Sequence, residues 1–348
     1  MRVFISPAQR GHAGDTFLVS GTPRPIPEQP ERLNHFRRAV EALGLTPEAP
    51  ADAGDGPLAR VHTPEYLDFL RTAWTLWQSL PNASGDVRPN VSPDRPDAPY
   101  PRSPVGRAGY HLGDQACPIL RDTWITARAS AHCAVAAARA VADGAREAYA
   151  MCRPPGHHAG RERTGGFCYL NNTAIAAADL AAGGRRVAIL DVDLHHGDGT
   201  QAIFYERLDV LTTSVHADPA DFYPFFRGHA AERGAGPGLG YNINRPLPLG
   251  TGDAGYLAAV ETALACIDAF APDVLVVALG LDASVDDPFG GLTVTPDGFA
   301  RLGALLGAFG RPTVLVQEGG YISPTLSDNL RAALSGFLDA RPGGLTPA

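Results

Sequence analysis

Short apolar runs alternate along this chain with longer segments of helical periodicity. The near-continuous runs are typical of strands buried on both faces. They cover residues 2–6, 148–152, 186–192, 210–216, 274–279 and 313–317. The segments with a helical period cover residues 32–43, 122–147, 173–182, 255–270, 297–309 and 326–338. Alternation of this kind predicts an α/β protein with one mostly parallel sheet flanked by helices on both faces.

Residues 79–118 interrupt this alternation. The segment is rich in Pro, Gly, Asp and Arg and shows no hydrophobic period. A stretch of this length without elements of its own is normally a functional loop or a linker. Since no internal repeat or further linker divides the chain, we expect a single domain over residues 1–348 with one long loop insert.

The composition of the 348 residues excludes several classes of protein. All 29 basic residues are arginine, which excludes Schiff-base chemistry and a P-loop lysine. The formal net charge of −8 argues against a nucleic-acid partner. Five cysteines without CxxC spacing argue against a disulfide framework and favour the reducing cytoplasm. The sequence shows no bilayer-spanning apolar run and no signal-peptide pattern, so we expect a cytoplasmic protein without a membrane partner.

Polar side chains follow two of the predicted strands. Asp191, Asp193 and His195 come at the end of one buried run, and Asp282 follows another. The first three side chains would point the same way if the strand continued. Ligands bind at the carboxyl ends of such strands, and two carboxylates with an imidazole suit a metal ion. Asp193, His195 and Asp282 would form a set of three ligands that leaves one position for water, as in catalytic zinc sites. The alternative is a polar strand end that caps the next helix.

Two adjacent histidines, His157 and His158, lie in a Pro/Gly-rich loop. We expect them to transfer protons beside a metal-bound water. Each then needs a carboxylate that sets its tautomer, and Asp191 and Asp198 are the candidates. The alternative is a solvated pair of loop histidines.

Aromatic residues lie near these loops in the sequence. Tyr321 follows the last apolar run and two glycines, which would let its hydroxyl donate to a developing oxyanion. The segment by itself favours the alternative, a core tyrosine in a turn. Phe167 and Tyr223 are candidates for the walls of a narrow tunnel, although aromatic residues are more often plain core. Cys168 has no neighbouring base, which disfavours a nucleophilic role.

Five motifs, taken in order, resemble the histone deacetylase superfamily. They are RPPGHHAG at 153–160, GGFCYLNN at 165–172, DVDLHHGDGT at 191–200, GLDA at 280–283 and EGGY at 318–321. The resemblance extends over about residues 2–338, and it is strongest to the bacterial acetylpolyamine amidohydrolases within that superfamily. It implies the arginase/deacetylase-like α/β fold and a zinc-dependent hydrolase that releases acetate and a free amine.

The resemblance implies a role for each residue of the site. The implied zinc ligands are Asp193, His195 and Asp282, and the same donors also suit Fe²⁺. The implied catalytic residues are His157, His158, Tyr321, Asp191 and Asp198. The implied substrate-binding residues are Gly166, Phe167, Tyr223 and Phe289. The first implied structural potassium site comprises Asp191, Asp193, His195, Ser214 and Val215. The second comprises Phe204, Arg207, Val210 and Tyr241.

The insert also resembles that of the acetylpolyamine amidohydrolases, where it narrows the active-site mouth and helps to form a dimer. The resemblance therefore implies small N-acetylated amines as substrates and a homodimer. Two departures from the family pattern argue against selectivity for polycations. The positions that match the family's acidic groups are Val105 and Ala116, with Asp114 as the nearest acid, and Phe289 at the rim is not acidic either. The alternative activity is deacetylation of acetyl-lysine in proteins or peptides. A binding protein that has lost the chemistry is the alternative from another class.

Overall fold

The computed structural model describes residues 1–95 and 97–342. Its strands are β1 Arg2–Phe4, β2 Thr16–Val19, β3 Thr22–Pro25, β4 Pro47–Glu48, β5 Glu147–Ala150, β6 Val187–Asp191, β7 Val210–Ala217, β8 Asn242–Leu247, β9 Val274–Leu279 and β10 Thr313–Gln317. Eight strands form one sheet in the order β4-β1-β5-β10-β9-β6-β7-β8. Every neighbouring pair in this sheet is parallel. β2 and β3 form a separate antiparallel hairpin.

The helices connect these strands. They are α1 Arg32–Ala42, α2 Gly56–Ala59, α3 Pro64–Gln78, α4 Pro104–His111, α5 Thr123–Ala142, α6 Asn172–Ala182, α7 Asp198–Phe204, α8 Asp253–Phe270, α9 Pro296–Ala308 and α10 Leu326–Ala340. Short 3₁₀ turns lie at Pro7–Arg10 and Gly236–Gly238. Among the described residues, no helix has both the length and the apolar character that crossing a membrane requires.

The central strands are apolar throughout because helices cover both faces of the sheet. In β9, Val274 and Val276 pack in one core with α5 and α6. Leu275 and Val277 pack in a second core with α1, α8, α9 and α10. Successive side chains of a strand point to opposite faces, so a strand between two helical layers needs apolar residues at every position. The predicted fold class is confirmed.

The insert has more structure than its sequence indicated. We expected no secondary structure in the insert, which was wrong, because the insert contains α4. This helix begins at Pro104, and the first position of a helix tolerates proline because a backbone N–H there would have no partner within the helix. Two glycines within its eight residues weaken the helical pattern. One of them, Gly109, is required by packing, because a Cβ there would lie 2.0 Å from the carbonyl oxygen of Val91.

A missed strand and the end of one helix also differ from the prediction. Strand β8 was missed because it contains Asn242 and Asn244, whose buried amides donate to Gln201 Oε1 at 2.9 and 2.8 Å. Strands with such polar pairs do not produce an apolar run. The long helix predicted to reach residue 147 ends at Ala142, because Gly144 adopts a φ of +107°, which is incompatible with a continuing helix.

Candidate active site

Three side chains suited to bind a metal meet at the carboxyl end of the sheet. Asp193 and His195 lie just after β6, Asp282 lies just after β9, and these strands are neighbours. His195 Nδ1 lies 3.0 Å from Asp282 Oδ2 and 3.3 Å from Asp193 Oδ1. The three ligand atoms all lie within 4.8 Å of one another. Because β6 ends at Asp191, a loop, and not a continued strand, brings Asp193 and His195 together.

Backbone groups fix the two carboxylates of this triad. The amide of Gly319 donates to Asp193 Oδ2 at 2.7 Å. The amide of Leu194 donates to Asp282 Oδ1 at 3.0 Å. A Cβ on Gly319 would lie only 2.2 Å from Asp282 Oδ2, so this close approach of the loop after β10 requires glycine.

The charges of the triad fit a divalent metal ion. Asp193 and Asp282 are completely buried beside the same imidazole. Burial and the charge of Asp193 raise the pKa of Asp282. Burial by itself would lower the pKa of His195, but the hydrogen bonds and charges of the two aspartates raise it to about 9. Two buried carboxylates need a positive partner, and three N/O ligands are the composition of a catalytic zinc site.

Each of the tandem histidines binds a carboxylate through Nδ1. His157 Nδ1 lies 3.0 Å from Asp191 Oδ2, and His158 Nδ1 lies 2.7 Å from Asp198 Oδ1. The Nε2 atom of His157 reaches the triad, 3.7 Å from Asp193 Oδ1. The two carboxylates differ in exposure, since the Asp191 side chain is 3% exposed and that of Asp198 is 28% exposed. The structure therefore brings together the histidine–carboxylate pairs that the sequence suggested.

The surroundings shift the pKa values of the two histidines in opposite directions. Burial and the positive charge of His157 lower the pKa of His158 to about 4. Burial opposes protonation of His157 too, but the charges of Asp193 and Asp191 outweigh it and raise its pKa well above the ordinary value. A neutral imidazole is suited to accept a proton from water, and a protonated one is suited to stabilise negative charge.

Aromatic rings surround this centre. The ring centroids of Phe222 and Phe289 each lie 5.3 Å from that of His195. The ring of Tyr223 lies 5.0 Å from that of His158, edge to face. These walls are apolar, which suits the carbon chain of a substrate better than its charged groups.

Tyr321 lies in the same aromatic cluster. Its ring centroid is 4.9 Å from that of Phe289 and 5.8 Å from that of Phe167. Its amide donates to Asp287 Oδ2 at 2.9 Å. The guanidinium of Arg32 lies over the ring of Tyr321, 4.8 Å from its centroid. The tyrosine is thus held by its backbone and its ring.

Some residues that contact the site were not among the predicted ones. Asp114 of the insert accepts hydrogen bonds at Oδ2 from the Tyr223 hydroxyl at 2.8 Å and from the Gly166 amide at 2.9 Å. Its position as the nearest acid in the insert was the available signal. Arg32 and Phe222 were missed because both lie in segments whose pattern indicates only a helix face or an aromatic run.

The residues of the two implied potassium sites lie around β7. Asp191 and Ser214 are opposite each other in the register of β6 and β7, and Val215 follows directly. In the second set, Phe204 ends α7, Arg207 lies in the loop that follows, Val210 begins β7 and Tyr241 lies just before β8.

Comparison with known proteins identifies the family of this chain. A family model described as the histone deacetylase domain matches residues 26–337. The chain belongs to the histone deacetylase family. The histone deacetylase motifs of the sequence therefore identified the family correctly, and the chain is a hydrolytic deacetylase.

Relatives within the histone deacetylase family cover nearly the whole chain. An acetylpolyamine amidohydrolase from Burkholderia pseudomallei is 47% identical over 338 residues, which are 97% of this chain and 98% of that protein. Acetylpolyamine amidohydrolase 1 from Pseudomonas aeruginosa is 43% identical over 333 residues, covering 94% of this chain and 96% of that one. The crystal structure of acetylpolyamine aminohydrolase from Burkholderia pseudomallei matches with a TM-score of 0.95 at 46% identity, covering 98% of this chain and 100% of that chain.

Proposed function

We propose that this protein is a zinc-dependent amidohydrolase that cleaves the N-acetyl amide of acetylpolyamines to acetate and the free amine. The observation that carries the proposal is the buried triad Asp193–His195–Asp282, with the two histidine–carboxylate pairs beside it. The names of the relatives, which are 47% and 43% identical over almost the whole chain, support the substrate class.

Asp193, His195 and Asp282 would hold the metal. Zinc bound there would supply Lewis acidity, which acidifies a water molecule and polarises the acetyl carbonyl. The same donors accept Fe²⁺, so metal analysis of purified protein distinguishes the two ions.

The protein's own groups move the protons. The hydrogen bond between His158 Nδ1 and Asp198 leaves Nε2 of the neutral imidazole free to accept a proton. His158 Nε2 takes this proton from water and later gives it to the leaving amine. Asp191 holds His157 with its Nε2 beside the triad, where a protonated imidazole would offset the negative charge that develops on the substrate. The Tyr321 hydroxyl donates a hydrogen bond to the acetyl oxygen as it becomes anionic.

The insert is proposed to narrow the mouth and to form a homodimer. Asp114 ties the insert to Tyr223 and Gly166, which supports a place for it beside the substrate. We also propose structural potassium ions at the two sets of residues around β7. A cytoplasmic location fits the five free cysteines.

The deciding experiment is an acetate-release assay on zinc-loaded protein with N-acetylputrescine, N8-acetylspermidine, N-acetylcadaverine and an acetyl-lysine peptide. We expect the acetylated diamines and polyamines to exceed the peptide by about tenfold or more in kcat/KM, an amount that about 1.4 kcal/mol of binding selectivity supplies. A higher value for the peptide would instead assign the protein to the acetyl-lysine deacetylases.

A further inference from the structure

The Glu318 side chain is a buried carboxyl group without a task in the mechanism above. The residue follows β10 and is 0% exposed. Its side chain reaches the loop that carries the tandem histidines. Oε2 accepts hydrogen bonds from the amides of Gly156 at 2.5 Å and His157 at 3.0 Å. Oε1 accepts one from the hydroxyl of Thr173 at 2.6 Å.

A second metal site is one explanation for this cluster, since ligand atoms of His157, Cys168 and Glu318 lie within 4.8 Å of one another. The hydrogen bonds argue against it, because both oxygens of Glu318 already accept donors from the protein. A thiol must also lose its proton to bind a metal, and burial raises the pKa of Cys168 well above its ordinary value. The cluster therefore favours hydrogen bonding.

The backbone of His157 is held from both sides. Its amide donates to Glu318, and its carbonyl oxygen accepts from the amide of Thr200 at 3.0 Å. Glu318 is itself anchored, because Arg32 Nη2 donates to its carbonyl oxygen at 2.6 Å. The carboxylate thus joins the loop after β10 to the loop of the tandem histidines. Misplacing a catalytic group by 1 Å can cost about 10²-fold in rate, so this connection affects the chemistry.

We infer that Glu318 is a positioning residue that holds the His157 imidazole against the metal triad through its two hydrogen bonds to the backbone of Gly156 and His157. The inference rests on the proposed function, because it assigns Glu318 a part in that reaction. Glu318 is fully buried and both of its oxygens accept protein donors, so we expect its removal to lower kcat and to leave KM near its original value.

Two substitutions of Glu318 test whether its hydrogen bonds are what the reaction needs. Glu318→Ala removes all three hydrogen bonds. Glu318→Gln keeps an oxygen for the two amides and directs its NH₂ to the Thr173 hydroxyl, which accepts as well as donates. We expect Glu318→Ala to lower kcat about tenfold or more with KM within about twofold, and Glu318→Gln to restore most of the rate.

A double-mutant cycle identifies the group through which Glu318 acts. In a His157→Ala background, Glu318→Ala is expected to cause no further loss of kcat, because the side chain that it positions is gone. An equal loss in both backgrounds would overturn the inference. If Glu318→Ala fails to fold, Glu318→Met, which has a similar length and no acceptor oxygen, replaces it in the same measurements.

Hydrogen exchange tests the contact without turnover. The amides of Gly156 and His157 are expected to exchange slowly in the original protein and in Glu318→Gln, and faster in Glu318→Ala. Thr173→Val is the matched control, because it removes only the donor at Oε1, and it should leave both amides slow. Equally fast exchange in every variant of an active protein overturns the role of Glu318. The expected exchange pattern in a protein that releases no acetate supports the contact and contradicts the proposed function.

Discussion

At the scale of single residues, the two histidine–carboxylate pairs are similar in geometry and different in surroundings. Asp191 is buried with His157, while Asp198 beside His158 is partly open to solvent. A pair that exchanges protons with water each turnover benefits from such exposure, whereas a pair that only holds a charge does not. The exposure of Asp198 therefore agrees with His158 as the group that moves protons.

The role of Tyr321 can be tested by removing one atom, its hydroxyl oxygen. Tyr321→Phe removes the hydroxyl and keeps the ring contacts with Phe289 and Phe167. We expect kcat to fall by about 10²-fold, as for other lost oxyanion donors, with an unchanged melting temperature. Steady-state acetate release and thermal unfolding are the measurements. A loss of less than about threefold would show that Tyr321 serves packing and not catalysis.

At the scale of elements, the loops at the carboxyl edge of the sheet carry the candidate site residues, and Asp114 of the insert contacts two residues beside them. The loops after β6, β9 and β10 carry the triad and Tyr321 because parallel strands end at one edge. Asp114 then joins the insert to this edge through Tyr223 and Gly166. The aromatic wall is therefore partly determined by a segment that is distant in sequence.

Replacing Asp114 tests this connection. Asp114→Ala removes the acceptor for both the Tyr223 hydroxyl and the Gly166 amide, so we expect KM to rise about fivefold or more while kcat changes less. Tyr223→Phe is the matched control, since it removes one of the two hydrogen bonds and keeps the ring; its KM should lie between those of the original protein and Asp114→Ala. An unchanged KM in Asp114→Ala would show that the insert does not shape the substrate site.

At the scale of the whole molecule, three histidines that do not belong to the triad are buried: His12, His62 and His111. Burial lowers the pKa values of His12, His62 and His111 to about 4. Each ring has polar partners on both nitrogens; the Nε2 of His62, for example, accepts the amide of Asn171 at 3.0 Å. Protonation would remove that acceptor, so the folded state takes up these protons only at acid pH.

The stability of the protein should therefore decrease in acid. Below pH 6.5 the unfolded chain binds protons at these histidines and the folded chain does not, so the free energy of unfolding falls as the pH decreases from about 6.5 to about 4. Each histidine contributes up to about 3 kcal/mol to this fall, and the loss is complete below about pH 4. Urea denaturation between pH 7 and pH 4 measures it. His62→Gln keeps a donor and an acceptor without titrating, so its pH dependence should be shallower; a dependence equal to that of the original protein would contradict this account.

Much of the site and of the sheet could be predicted because the signals are local. The strand β9 was predicted with its observed bounds. Its six consecutive apolar residues are typical of a parallel strand that helices cover on both faces. Asp193 and His195 lie within four residues of the end of a strand. Because the chain is too short to carry them away from that end, their place at the sheet edge could be predicted. Their metal-binding role stays a prediction, which metal analysis tests.

The sequence by itself determined the alternation of strands and helices, the family motifs and the candidate chemistry, because periodicity and adjacent residues carry that information. Only the tertiary structure decided that Asp114 of the insert contacts Tyr223 and that Glu318 binds the backbone of His157. Those contacts join residues 109 and 161 positions apart, and no local pattern marks them. They exist because the parallel sheet gathers the ends of distant strands at one edge, where buried carboxylates must find the donors that packing brings to them.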